Sequence, residues 1–181
     1  MNALWAYFWP IFGAGLTIGV ATGLAAFRAP RARPKDREAA IQRWRRRRRI
    51  VLLCGAALVL AAAGLWQGPL GAADRLAAQV ERDARLTLDN YEMTQVRARI
   101  HHGPFTRQLL LSGSADDFQR SELVRIVGSI PGVSSATWSA AGGGTPLIAE
   151  GAGTSLLGFL IGLVLAYLVE LRRRYNAQWN W

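Results

Sequence analysis

His101 and His102 are the only imidazoles in the chain and stand next to each other. Imidazole can hold a metal or move a proton near neutral pH. Adjacent residues on a strand point to opposite faces, however, so this pair is poorly placed to converge on one ion, and a turn or solvent-facing role is expected. Asp116 and Asp117 are paired carboxylates of the kind used in general acid–base chemistry. Their place at the start of a helical stretch explains them better, through the helix dipole and the cap. Ser112, Gly113 and Ser114 do not form a nucleophile elbow, no glycine-rich phosphate loop is present, and the single thiol, Cys54, lies in an apolar run. The expectation is a non-catalytic protein with no metal and no cofactor.

The residues best suited to chemistry are arginines, and their chemistry is anion binding. Arg45, Arg46, Arg47, Arg48 and Arg49 run directly into Ile50, Val51 and Leu52, while Arg172, Arg173 and Arg174 follow another apolar run. Arg97, Arg99 and Arg107 form a more dispersed set. A basic run can neutralise nucleic-acid phosphates, but this one has no fold of its own around it and adjoins a membrane-length segment. No nucleic-acid partner is expected.

The elements that position these arginines are apolar blocks. The chain is 51% hydrophobic yet carries a net charge of +10, an odd pairing for a soluble protein. Its apolar residues concentrate in 4–27, 50–66 and 152–171. As helices these would span about 36, 26 and 30 Å, against a hydrocarbon core of about 30 Å. Three transmembrane helices are expected, and residues 1–27 lack the basic start of a cleaved signal peptide. The loop 28–49 is strongly basic, with Arg28, Arg31, Arg33, Lys35, Arg37 and Arg43 beside the arginine run, and so is the basic and aromatic tail 172–181. In segment 67–151 acidic and basic residues nearly balance. The positive-inside rule therefore places loop and tail in the cytoplasm, and the N-terminus and 67–151 in the periplasm, of a bacterial inner-membrane protein. Arg45–Arg49 and Arg172–Arg174 thus read as topology determinants and contacts for anionic headgroups, each contributing about 1 kcal/mol near the surface.

Trp5, Tyr7, Trp9, Trp44 and Trp66 fall near the ends of the spans, where amphipathic rings prefer the headgroup layer. Gly15, Gly19 and Gly23 recur every four residues in the first span, as do Gly158, Gly162 and Ala166 in the third. Such ridges let two backbones approach closely in lipid. They pack either on each other within the chain or against another subunit, a membrane-protein partner or a second copy in a homo-oligomer.

Between the second and third spans, residues 72–90 place Leu76, Val80, Ala84 and Leu88 on one helical face. Val96, Ala98 and Ile100 alternate with Arg97, Arg99 and His101, the period of a half-buried strand; turn residues and a second strand over 108–112 follow. Ser114 with Asp117 suggests a capped helix start, with Phe118, Leu123, Ile126, Val127 and Ile130 as the apolar stripe. Pro131 and Gly132 stop that helix, a third strand covers 133–138, and a glycine-rich linker, 141–151, leads to the last span. The fold class is an α-helical integral membrane protein with a small α+β domain, ordered α-β-β-α-β, over 70–140. That domain is expected to fold without the membrane helices.

The stretch LLLSGSADDFQRSELVRIVGSIPGVSSATW, with a strand ending at Gly113, a helix through Ile130 and Gly132-Val133 opening the last strand, resembles the BON family of bacterial cell-envelope domains. The resemblance covers 73–139. It implies periplasmic placement and association with membrane or phospholipid, and it specifies no lipid-binding residues. Family members are commonly soluble with tandem copies, whereas here a single copy is tethered at both ends. Arg97, Arg99 and Arg107 are expected on one side of the domain, where an anionic headgroup or an acidic partner surface would complement them; otherwise they form a solvated strand face. One functional reading is a membrane-tethered module that binds lipid or another envelope component. The other is an accessory or assembly subunit of an inner-membrane complex, docking through its glycine ridges.

Overall fold

The computed structural model describes residues 3–28, 37–103, 105–139 and 144–179. Along the chain run α1 (Ala3–Phe27), α2 (Arg37–Gln67), α3 (Ala72–Asn90), β1 (Arg97–His102), β2 (Phe105–Ser112), α4 (Asp117–Gly128), β3 (Ser135–Thr137) and α5 (Leu147–Trp179). The protein is mostly helical: α1, α2 and α5 are long and apolar enough to cross a membrane, and a small sheet is set between α3 and α5 in the sequence. The chain forms two compact units, one from residues 1–9 and 65–151, the other from 10–64 and 152–181.

In the first unit the strand order is β1-β2-β3. β1 and β2 form an antiparallel hairpin with Ala98 opposite Leu111 and Ile100 opposite Leu109. β3 runs parallel to β2, Leu109 beside Ala136. A parallel pair needs a crossover, and α4 supplies it. Leu76, Val80, Ala84 and Leu88 of α3, with Leu123 and Val127 of α4, are buried together with Val96, Ile100, Leu109 and Leu111. The alternation read from the sequence thus has its inward set in the core. Gly113 and Gly132 close the two ends of this crossover at positive φ, 134° and 110°. A Cβ at Gly113 would strike the Gln95 carbonyl, and one at Gly132 would lie 2.7 Å from Val80 Cγ2, so side chains are excluded at both.

Several boundaries differ from the sequence reading. The α4 cap is Asp116, not Ser114: Asp116 Oδ1 accepts from the Gln119 amide at 2.7 Å, and Gln119 Oε1 accepts from the Asp116 amide at 3.2 Å. A glutamine three residues after the cap completes the box, which Asp117 three residues after Ser114 does not. Phe118 lies off the buried stripe, 76% exposed, and Ile126 is only half-buried. Tyr7 is no interfacial anchor but 3% exposed within the core of the α+β unit, where its carbonyl accepts from Trp66 Nε1 at 3.1 Å. Ala3 and Leu147 share that core. The unit is therefore wider than 70–140: its apolar filling comes in part from the first turns of α1 and α5, which local periodicity assigns to the membrane.

The second unit contains the remainder of the long helices. Gly15, Gly19 and Gly23 of α1 face Ser155, Phe159 and Ala166 of α5 in ascending order, so the two helices run parallel. Gly158 and Gly162 in turn face Phe12 and Leu16. The two ridges lie against each other within one chain. α2 approaches from another side, where a Cβ on Gly55 would come 2.5 Å from Thr22 Oγ1. Large apolar side chains elsewhere on these helices point outward, among them Leu53, Leu58, Leu160 and Val164.

The basic segment 28–49 is not a loop throughout. Its second half, Arg45–Arg49 included, is the start of α2, because arginine is a good helix former and nothing interrupts the backbone before the apolar run. Arg31, Arg33 and Lys35 lie outside the described residues. The linker likewise ends early: α5 begins at Leu147 and continues through Arg172–Arg174 to Trp179, so the tail 172–181 is largely helical. Residues 141–143 of the linker and residues 180–181 of the tail lie outside the described residues.

Candidate anion-binding surface

β1 is an edge strand, and its open edge faces a shallow groove of ≈350 Å³ lined by Glu81 and Arg85 of α3, Thr94, and Arg97, Ala98 and Arg99. An unpaired edge exposes backbone donors and acceptors. Here α3 supplies partners for some of them. Glu81 Oε1 accepts from the Ile100 amide at 2.9 Å, standing where a neighbouring strand's carbonyl would be. Arg85 Nη1 donates to the Val96 carbonyl at 3.3 Å, standing where that strand's N–H would be. Arg85 also reaches the Thr94 carbonyl at 3.5 Å and Asp89 Oδ1 at 3.0 Å. Glu81 and Arg85 are one helical turn apart, which matches the spacing needed to reach two points along the edge.

Arg97 and Arg99 are exposed on this groove, and among the described residues neither forms an ion pair or a side-chain hydrogen bond. They sit opposite Ser112 and Leu110 in the hairpin, with side chains on the face away from Val96, Ala98 and Ile100. The groove thus holds cations already engaged by protein partners and cations left to solvent. An incoming anion would meet the second kind.

Arg107 departs from the sequence expectation. It does not join Arg97 and Arg99 but forms a forked ion pair with Glu150 of α5, Nε to Oε2 at 2.7 Å and Nη2 to Oε1 at 3.2 Å. Both side chains are about four-fifths shielded from solvent. Thr145 Oγ1 also donates to Glu150 Oε1, at 2.7 Å. The register shift between Ile100 and His102 separates Arg107 from the regular part of the hairpin. An arginine counted as a binding cation is therefore a structural tie between β2 and the start of α5.

Sequence reasoning missed Glu81, Arg85 and Thr94 as groove residues. A local signal for Arg85 existed in its i,i+4 pairing with Asp89. No local signal could announce the long-range contacts of Glu81 and Glu150. His102 packs edge-on against Phe105 at 4.6 Å. Among the described residues no group of at least three His, Cys, Asp or Glu side chains is placed to hold a metal ion.

At the helical unit's basic end, Arg45, Arg46, Arg47 and Arg49 are exposed on α2 while Arg48 is half-buried. Arg172, Arg173 and Arg174 are exposed on α5, the last two bridged to Glu170 at 3.7 and 3.1 Å. In comparisons with known proteins, no family model, curated protein or solved structure matches the chain.

Proposed function

We propose that this chain is a non-catalytic, three-span inner-membrane protein that presents its α+β unit in the periplasm to bind an anionic target, lipid headgroups or an acidic envelope component. The observation that carries this reading is the pair Arg97 and Arg99, exposed beside the β1 edge without an acidic partner among the described residues. The element order α-β-β-α-β is the one that the BON-like resemblance expects, and that resemblance implies the same class of target.

The three-span arrangement has independent support. The N-terminal residues Ala3 and Tyr7 share one core with the α+β unit, as three spans require if the N-terminus and residues 67–151 lie on the same side. The parallel run of α1 and α5 agrees with both crossing in one direction. The alternative, an accessory or assembly subunit, is weaker at the feature that suggested it: the glycine ridges contact each other and leave that face unavailable for another subunit.

The test uses the full chain in phosphatidylcholine nanodiscs, presented with vesicles. Vesicles rich in phosphatidylglycerol should be captured, pure phosphatidylcholine vesicles should not, and capture should weaken as salt rises. Changing Arg97 and Arg99 together to glutamine should remove a clear share of that capture. Capture unaffected by the double change would exclude the groove.

A further inference from the structure

The basic end of the helical unit contains a built recess. The last carbonyls of α1 have no intrahelical partners. Phe27 O accepts instead from Arg174 Nη2 of α5 at 3.0 Å, and Arg28 O accepts from Trp44 Nε1 of α2 at 3.1 Å. The Arg48 guanidinium lies 5.1 Å from the centre of the Phe27 ring and 5.6 Å from that of Trp44. Tyr167 meets Phe27 edge to face at 5.7 Å. Together with Glu170 these side chains line a recess of ≈80 Å³.

Cation–π contacts of this kind accept none of a guanidinium's N–H groups as conventional hydrogen-bond donors, so these remain available for a forked contact with an oxyanion. Among the described residues no group accepts a hydrogen bond from Arg48. Two guanidiniums, Arg48 and Arg174, line the recess with one carboxylate, Glu170, which Arg173 also bridges, so the local charge is positive. The volume is several times the roughly 15 Å³ that one water needs, enough for a tetrahedral oxyanion but not for a whole lipid headgroup. Its height also fits: α2 becomes apolar at Ile50, immediately after Arg48 and Arg49, and α5 becomes basic at Arg172, immediately after Leu171. That is the depth at which lipid phosphates lie if these helices cross a bilayer, and basic pockets between helices at that depth recognise anionic headgroups.

We propose that this recess binds a phosphate oxyanion, presented by an anionic phospholipid whose acyl chains lie along α2 and α5. Arg48 supplies the fork, Arg174 the second charge, and the rings of Phe27 and Trp44 hold the fork in place. A choline headgroup is disfavoured because its cation would enter a region of excess positive charge. This site is separate from the β1 groove and does not depend on what that groove binds.

The experiment is thermal unfolding of the full chain in mild detergent, with phosphatidylglycerol, phosphatidylcholine or inorganic phosphate titrated in. Phosphatidylglycerol should raise Tm saturably and phosphatidylcholine should not. Arg48→Gln should weaken the phosphatidylglycerol midpoint about tenfold, as expected for losing a hydrogen bond to a charged group. Arg46→Gln, at a neighbouring exposed charge that offers only a general attraction for headgroups, should weaken it clearly less than Arg48→Gln does. Arg48→Lys keeps the charge without the fork and should also weaken the midpoint; it carries the test if the glutamine variant does not fold. An equal response to inorganic phosphate would support the oxyanion site but assign it to free phosphate. Equal responses to the two lipids, or equal losses from changing Arg46 and Arg48, would overturn the proposal.

Discussion

Arg97 and Arg107 flank the same hairpin, and their surroundings give them opposite work. Arg107 is shielded and forked onto Glu150, so Arg107→Gln takes the charged partner from a carboxylate that lies well out of solvent and leaves it neutral partners such as the Thr145 hydroxyl. A pair about four-fifths shielded falls between the exposed and buried limits, and about 2 kcal/mol of lost stability is expected, read as a lower Tm. Arg97→Gln should leave Tm almost unchanged, within about 0.5 kcal/mol, as for an exposed side chain with no fixed partner. Equal effects of the two changes would contradict the assignment of roles. This distinction was illegible in the sequence because Glu150 lies 43 residues from Arg107. The alternation of Val96, Ala98 and Ile100 with Arg97 and Arg99 was legible, because it depends only on the pleat.

The helices show which signals are local. Length and apolarity announced α1, α2 and α5, and the glycine spacing announced that α1 and α5 carry contact faces. Which surface those faces meet is a tertiary fact, and the structure has them meeting each other. A side chain on Gly19 would strike the backbone of Phe159, so Gly19→Leu must separate the helices. Overpacking of this kind costs about 1–3 kcal/mol, and the variant should lose resistance to detergent unfolding. Wild-type resistance would mean that the ridge does not face α5. Helix ends were the least legible feature. In the sequence the arginine run reads as loop because charge marks a membrane edge, yet charge does not stop a helix, and α2 starts at Arg37. At α4 the sequence offered two overlapping capping patterns, and the one with Asp116 and Gln119 is formed. Asp116→Ala should cost about 1 kcal/mol, whereas Ser114→Ala should cost little.

At the scale of the whole molecule, the chain alternates between two compact units, and each of α1, α2 and α5 contributes to both. The α+β unit takes Ala3, Tyr7 and Leu147 into its core, so a fragment covering only 70–140 lacks part of its apolar filling. Small domains have thin stability margins. That fragment is expected to unfold without a cooperative transition, while Val127→Asp in the full chain, a charge placed at a fully buried position, should unfold this unit outright. A sharp melt for the fragment would show that the shared core is dispensable. The central claim is that the N-terminus and the α+β unit lie outside the cytoplasm and the arginine-rich helix ends within it. Single cysteines in a Cys54→Ala background test it most directly, using a membrane-impermeant maleimide on intact spheroplasts. Ser121→Cys, exposed on α4, should label at once, and Asn176→Cys, exposed near the end of α5, should label only after the membrane is permeabilised. The reverse pattern, or labelling of both positions in intact spheroplasts, would contradict the account.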